Sequence, residues 1–162
     1  MGNAMTNEAW VMHEKDAEVV ERPALRLLAD GEHTGGLLGA NRLSLRPGEP
    51  GTKPHYHRKS AEAFYVLDGA LRMLVGDETI TVGRGGYVVI PPGVRHAFAA
   101  PPEVAADVLI TVAPGVDRFG YFRVLPEILR GNVAPEEVER LHERYDVHFV
   151  DAPEWGTAQP TP

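Results

Sequence analysis

The stretch from Gly51 to Ala100, GTKPHYHRKSAEAFYVLDGALRMLVGDETITVGRGGYVVIPPGVRHAFAA, decides how this chain is read. It is a series of short apolar runs cut by turn residues. Glu62 to Leu67 holds Phe64, Tyr65 and Val66, all good strand formers, and Asp68-Gly69 is expected to end that strand. Leu71 to Val75 and Thr79 to Val82 flank Gly76-Asp77-Glu78, which fits a hairpin loop. Gly85-Gly86 leads into Tyr87 to Ile90, stopped by Pro91-Pro92-Gly93, and Arg95 to Ala99 comes next. Strands this short, at intervals of about ten residues and with no helical signal between them, indicate an antiparallel sandwich or barrel.

Working outward, Asn41, Leu43 and Leu45 alternate with Arg42, Ser44 and Arg46, the period of a half-buried strand, until Pro47 to Lys53 breaks it. Further upstream, Trp10 to Met12 and Ala24 to Ala29 read as short strands, with Gly31 and Gly35-Gly36 as turns. Downstream, Val104 to Val112 supplies another strand after Pro101-Pro102. Beyond Pro114-Gly115 the character changes. Asp117 to Arg130 is apolar at Phe119, Phe122, Leu125 and Leu129, and Pro126 predicts a split into two short helices. Pro135 to Tyr145 opens with a proline and two glutamates and carries Val138, Leu141 and Tyr145 on one stripe, which predicts a helix. His148 to Val150 reads as a returning strand or extended arm, and Thr157 to Pro162 is expected to be disordered. With no internal repeat, the expected layout is an N-terminal leader and arm over 1–33, one barrel over 34–114, and a helical extension and tail over 115–162.

The composition narrows the chemistry. A chain of 162 residues with 43% hydrophobic and 24% charged residues suits one soluble globular domain, and 17 glycines and 14 prolines suit many tight turns. There is no cysteine, so thiolate nucleophiles, disulfides and cysteine zinc sites are excluded, and a transition metal would need imidazole and carboxylate ligands. A net charge of −7 argues against nucleic-acid binding. No apolar run approaches the roughly 20 residues of a membrane span. Met1 to Met5 lacks a signal-peptide pattern and reads as a vector-derived leader ahead of Met5, so a cytoplasmic location is expected.

The residues that carry chemistry are His55-Tyr56-His57 and Glu62. Alternate residues of a strand share a face, so both imidazoles of an H-x-H point the same way, and Phe64 and Val66 share the parity of Glu62. Imidazole suits several transition metals, and a carboxylate adds neutralising charge for a dication. Alone, an H-x-H is a weak signal, equally at home as two solvated histidines in a basic loop.

The residues downstream of this pair strengthen the signal. The sequence resembles the cupin superfamily, whose first motif is Gly, five residues, H-x-H, three or four residues, Glu, six residues, Gly. His55, His57, Glu62 and Gly69 fit that spacing, although the leading glycine is off register, the nearest being Gly48 and Gly51. The second motif is Gly, five residues, P-x-G, two residues, His, three residues, Asn. Gly85, Pro91, Gly93 and His96 match it, and Ala100 stands where the family has Asn, which is not a ligand. The two motifs cover residues 51 to 100.

The resemblance implies an all-β fold, the cupin double-stranded β-helix (jelly-roll) barrel, here with a short C-terminal helical extension. It also implies one divalent transition metal (Fe, Ni, Mn, Co, Cu or Zn) held by His55, His57, Glu62 and His96. Within the superfamily the chain is similar to small single-barrel proteins of the bacterial quercetinase kind, through Glu62 to Gly69, Val75 to Val82 and the tail Glu143 to Val150. That similarity implies a dioxygenase opening a flavonol-like or other enolisable aromatic ring, with dioxygen as co-substrate and Glu62 as the catalytic acceptor of the substrate's hydroxyl proton. Phe64, Val66, Met73 and Phe98 are candidates for an apolar substrate wall, and each suits plain barrel core equally well.

Two other readings stand beside this one: a non-redox metal cupin (an isomerase or a polyketide-cyclase-like enzyme) and a small-molecule-binding cupin without turnover. His13, His33, His142 and His148 fall outside the ligand spacing and read as surface or structural residues. Lys53, Arg58 and Lys59 read as a solvated basic loop or, alternatively, as a lure for an anionic substrate. The segment up to Asp30 and the helices after Asp117 are candidates for a homodimer contact, as cupins commonly pair through terminal arms.

Overall fold

The computed structural model describes residues 8–157. The expected leader over Met1 to Met5, and the tail beyond Thr157, lie outside the described residues. Strand-forming runs and turn residues divide the described residues into ten strands: β1 (Glu18–Val20), β2 (Ala24–Ala29), β3 (Gly39–Leu45), β4 (His55–Tyr56), β5 (Ala61–Val75), β6 (Glu78–Gly83), β7 (Tyr87–Ile90), β8 (His96–Ala99), β9 (Ala106–Ala113) and β10 (His148–Phe149). Three helices among the described residues, α1 (Phe119–Leu129), α2 (Pro135–Arg144) and α3 (Pro153–Thr157), occupy the C-terminal part.

All of these strand pairs are antiparallel and run β1-β2-β3-β9-β5-β8-β4-β10, with β6 and β7 attached to β5. The jelly roll is therefore wound but not closed by hydrogen bonds. Its organiser is β5. The expectation that Asp68-Gly69 ends this strand is corrected: the chain runs on as one strand of 15 residues. The first half pairs with β7 and β9, and the second half with β6 and β8. A register shift between Val66 and Asp68 and the positive φ of Gly69 (70°) bend the strand from one layer into the other. A Cβ at Gly69 would lie 1.8 Å from the Ala105 carbonyl oxygen, so only glycine lets the two backbones approach.

Between the layers, Leu27, Leu43, Phe64, Val66, Leu71, Met73 and Val108 are each at most 2% exposed. Removing side chains of this kind from water contributes about 1.5–3 kcal/mol each. The alternation is clearest along β9, where every second residue is buried.

Two further expectations are corrected. Trp10 to Met12 is not a strand; Trp10 instead stacks on His33 at 3.9 Å and donates its Nε1–H to the Leu28 carbonyl. Pro126 does not split the helix after Arg118: α1 passes through it unbroken. Pro126 lies in the last turn, so only one late hydrogen bond is lost, and the burial of Phe119 and Tyr121 outweighs it. Among the described residues, no helix is long and apolar enough to cross a membrane.

Candidate metal centre

β4 and β8 lie side by side with His55 opposite His96, and His96 faces Val75 of β5 on its other side. Glu62, the second residue of β5, turns inward with Phe64 and Val66 as their shared parity requires. His57 lies just past β4. The turn of the second motif closes onto the first, because Gly93, at φ 84°, donates its N–H to the His57 carbonyl at 2.7 Å. The four residues are 1–6% exposed, and their candidate ligand atoms all lie within 4.8 Å of one another.

Each imidazole is oriented through Nδ1. His55 Nδ1 lies 2.7 Å from the Lys53 carbonyl oxygen, His57 Nδ1 2.7 Å from that of Asp146, and His96 Nδ1 3.0 Å from that of Val94. A carbonyl only accepts, so each Nδ1 carries the hydrogen, and in the neutral ring Nε2 keeps its lone pair. Glu62 Oε2 stands 3.0 Å from His57 Nε2 and 2.8 Å from His96 Nε2. Lone pairs facing a carboxylate at that range call for positive charge, either protons on the rings or a cation at the centre.

Burial, then the neighbouring His96 and His57, pushes His55 well below its ordinary value, so this ring is neutral and able to ligate. Burial works to raise the Glu62 carboxyl, but the charges and hydrogen bonds of His57 and His96 outweigh it and hold it well below the usual carboxylate range. Three imidazoles and one carboxylate, already gathered and oriented, fit a divalent transition metal. The same donors are the ones the sequence singled out.

Two residues that the sequence did not single out complete the site. Asp146, 1% exposed at φ 58°, gives its carbonyl to His57 while its carboxylate accepts the N–H groups of Arg58 (2.9 Å) and Lys59 (2.8 Å) and a ring N–H of His148 (2.9 Å). Its place after α2, where a left-handed residue ends a helix and Asp is tolerated, was the available signal. Arg118, 6% exposed, brings its guanidinium within 3.7 Å of Glu62 Oε1. Nothing in the sequence marked it.

The centre opens into a cavity of about 1490 Å³, which His55, His57, Glu62 and Arg118 help to line. Of the residues expected to form a substrate wall, Phe98 lines this cavity. Phe64, Val66 and Met73 are at most 1% exposed within the barrel core and do not line it. The apolar wall is built instead by Leu25, Leu43 and Ile110 of the strands and by Tyr121, Phe122 and Leu125 of α1. Helix was expected over this segment, but an apolar stripe gives no sign of what it faces, so its place in the wall was not legible in the sequence.

Of the remaining histidines, His33 caps a short 3-10 turn with Asp30, His148 pairs with Asp146, and His142 packs against Phe149 and lines the cavity away from the four ligands. Lys53, Arg58 and Lys59 are all exposed.

Jelly-roll topology, the two linked motifs and the four convergent donors are those of a cupin. Residues 41–112 match the family model described as Cupin domain, so this part of the chain is similar to that family. The chain is 32% identical over 81 residues (50% of this chain, 52% of the relative) to the tetracenomycin polyketide synthase protein TcmJ of Streptomyces glaucescens. It is 28% identical over 92 residues (57% of this chain, 26% of the relative) to quercetin 2,3-dioxygenase of Bacillus subtilis. It thus spans between a quarter and about half of the length of these curated relatives. Among solved structures, the polyketide cyclase RemF of Streptomyces resistomycificus superposes with a TM-score of 0.55 at 23% identity, over 66% of this chain and 80% of that one, and so shares the fold.

Proposed function

We propose that this protein is a metal-dependent cupin enzyme that binds one divalent transition metal through Nε2 of His55, His57 and His96 and the carboxylate of Glu62, and that it oxygenates an enolisable aromatic small molecule. The observation that carries the reading is the convergence of three Nδ1-anchored imidazoles on one buried carboxylate. When bound, the metal would supply Lewis-acid activation of a substrate oxygen and, if redox-active, a means of bringing dioxygen to it.

The protein's own part is binding and proton transfer. The apolar wall of Leu25, Leu43, Ile110 and Phe122 holds an aromatic body and excludes water. Glu62 Oε2 is engaged by His57 and His96, which leaves Oε1 as the basic atom toward substrate. Because its neighbours hold Glu62 ionised, it is ready to accept a proton yet weakly basic, which suits an acidic hydroxyl such as an enol rather than an alcohol.

The likeness to a quercetin dioxygenase supports an oxygen-using reaction. The likeness to TcmJ and RemF supports a second reading, Lewis-acid chemistry of the polyketide-cyclase kind on the same class of compound. A homodimer through the N-terminal arm and C-terminal helices belongs to the proposal.

The test is elemental analysis of the purified protein followed by oxygen uptake with flavonols. About one equivalent of Fe, Ni, Mn, Co or Cu with substrate-dependent oxygen uptake is expected. Zinc with no uptake moves the assignment to the second reading. No metal, even after reconstitution with a panel of divalent ions, overturns both.

A further inference from the structure

Among the described residues, Arg118 is the one buried side chain whose polar atoms are not accounted for. Its Nε and Nη2 have no hydrogen-bond partner, while Nη1 lies 3.7 Å from Glu62 Oε1. The residue is 6% exposed and lines the cavity. A guanidinium carries five donors in a planar fork and stays charged, so burying it with two nitrogens unmatched is costly unless a ligand supplies acceptors.

Its position is set from elsewhere. The Asp30 carboxylate accepts the backbone N–H groups of Arg118 (2.7 Å) and Phe119 (3.1 Å), and the Asp117 carboxylate accepts the N–H of Glu32 (2.7 Å). The first turn of α1 is thereby tied to the β2 end, and the side chain is held over the metal ligands.

We propose that Arg118 is the anion anchor of the substrate pocket, and that the ligand of this site is an apolar or aromatic molecule bearing a carboxylate, which pairs with the Arg118 fork while its body lies against the wall of α1. The proposal rests on the metal reading. With a dication in the centre, the Glu62 charge is taken up by the metal, three neutral histidines add none, and Arg118 is left as a second uncompensated positive charge beside the first. An anionic group on the ligand satisfies both the charge and the unpartnered donors. The other cations lining the cavity, Arg22, Arg46 and Lys53, are not buried and are balanced by water and by acids such as Glu49, so they do not impose this requirement.

The test uses full-length protein loaded with zinc, which allows binding without redox turnover. Affinities are measured calorimetrically for benzoate, 2-hydroxybenzoate and 4-phenylbutanoate against the matching amides, with metal content determined on the same samples. Wild type should bind at least one of the acids tenfold or more tighter than its amide. Arg118→Gln should reduce that ratio to within twofold while keeping one zinc per chain, and Arg118→Lys should retain part of it.

A zinc-loaded wild type with no acid preference anywhere in the series overturns the anchor and leaves the metal reading standing. So does a preference that survives in Arg118→Gln. Loss of zinc in Arg118→Gln would make Arg118 a positioning residue for Glu62 and likewise overturn the anchor. Failure of the wild type to take up metal overturns both.

Discussion

His55 and His96 on one side and His57 on the other are held by the same kind of bond, a ring N–H on a backbone carbonyl, yet the two cases differ in reach. His55 and His96 bond the carbonyls of Lys53 and Val94, each two residues upstream in its own strand entry. His57 bonds the carbonyl of Asp146, 89 residues away, in the turn between α2 and β10. The first pair is aimed by local chain geometry once β4 and β8 form. The third ring is aimed from a turn held in place by the pairing of β10 with β4, with His148 opposite Tyr56 and Phe149 opposite His55. The helical extension is therefore part of the site as well as a cover for it, since one of the three rings is oriented from a segment 89 residues away.

The largest effect is expected at His96. His96→Ala should lower bound metal from about one equivalent to less than about a tenth, because a dication loses one of its four donors. The far-ultraviolet circular dichroism should stay that of the folded barrel, since the cavity left is at the open end of the core. A full equivalent of metal in this variant would sink the four-ligand assignment.

An intermediate effect is expected at Asp146. Asp146→Ala removes the acceptor for the Arg58 and Lys59 amides and puts alanine at φ 58°, so the turn that presents its carbonyl to His57 should loosen. We expect metal affinity to weaken about 10- to 100-fold, as for other residues that orient a ligand from behind. The unsatisfied amides should also cost about 1–3 kcal/mol of stability, read by urea denaturation of the metal-free protein. Asp146→Asn, which keeps an acceptor and tolerates the same backbone, should fall much nearer to wild type. Equal behaviour of the two variants would show that the long-range anchor does not steer His57.

The smallest effect is with pH. In the metal-free protein the His55 ring is pushed down by burial, and His142 is pushed down by burial and then by His148. The unfolded chain takes up these protons near 6.5, and the folded chain only at lower pH, so between those values the unfolded state binds more protons and stability rises with pH. The melting temperature should therefore fall as pH is lowered from 7 to about 5, and His55→Gln should remove most of that slope. A slope unchanged in His55→Gln would mean that His55 is not held neutral. The carboxylates act lower: Glu62 and Asp146 are depressed from 4.5 and 3.8, so their contribution is present above those values and is lost only below them.

Residue types and spacing were enough to read the turns, most of the strands and the four donors, because each depends on a few neighbours in the chain. β-branched and aromatic runs stopped by glycine or proline marked β6 to β8, and strand parity put Glu62, Phe64 and Val66 on one face. The errors have particular causes. Asp68-Gly69 is a good turn signal, but at this place glycine serves the close approach of Ala105, so it bends β5 instead of ending it. Pro126 is a good helix-breaking signal, and the burial of α1 against the cavity overrode it. Phe64 and Val66 share the parity of Glu62, yet lie in the barrel core and do not line the cavity.

The cupin-like spacing, and through that resemblance the four residues that meet at the centre, were thus legible in the sequence. Tertiary structure alone decided that Asp146 holds His57, that α1 walls the cavity, and that Arg118 stands beside Glu62. Each of these joins residues more than 50 positions apart, through docking of the extension onto the barrel. Such contacts are fixed by the packing of whole elements, which leaves no periodicity or spacing as a trace in the chain.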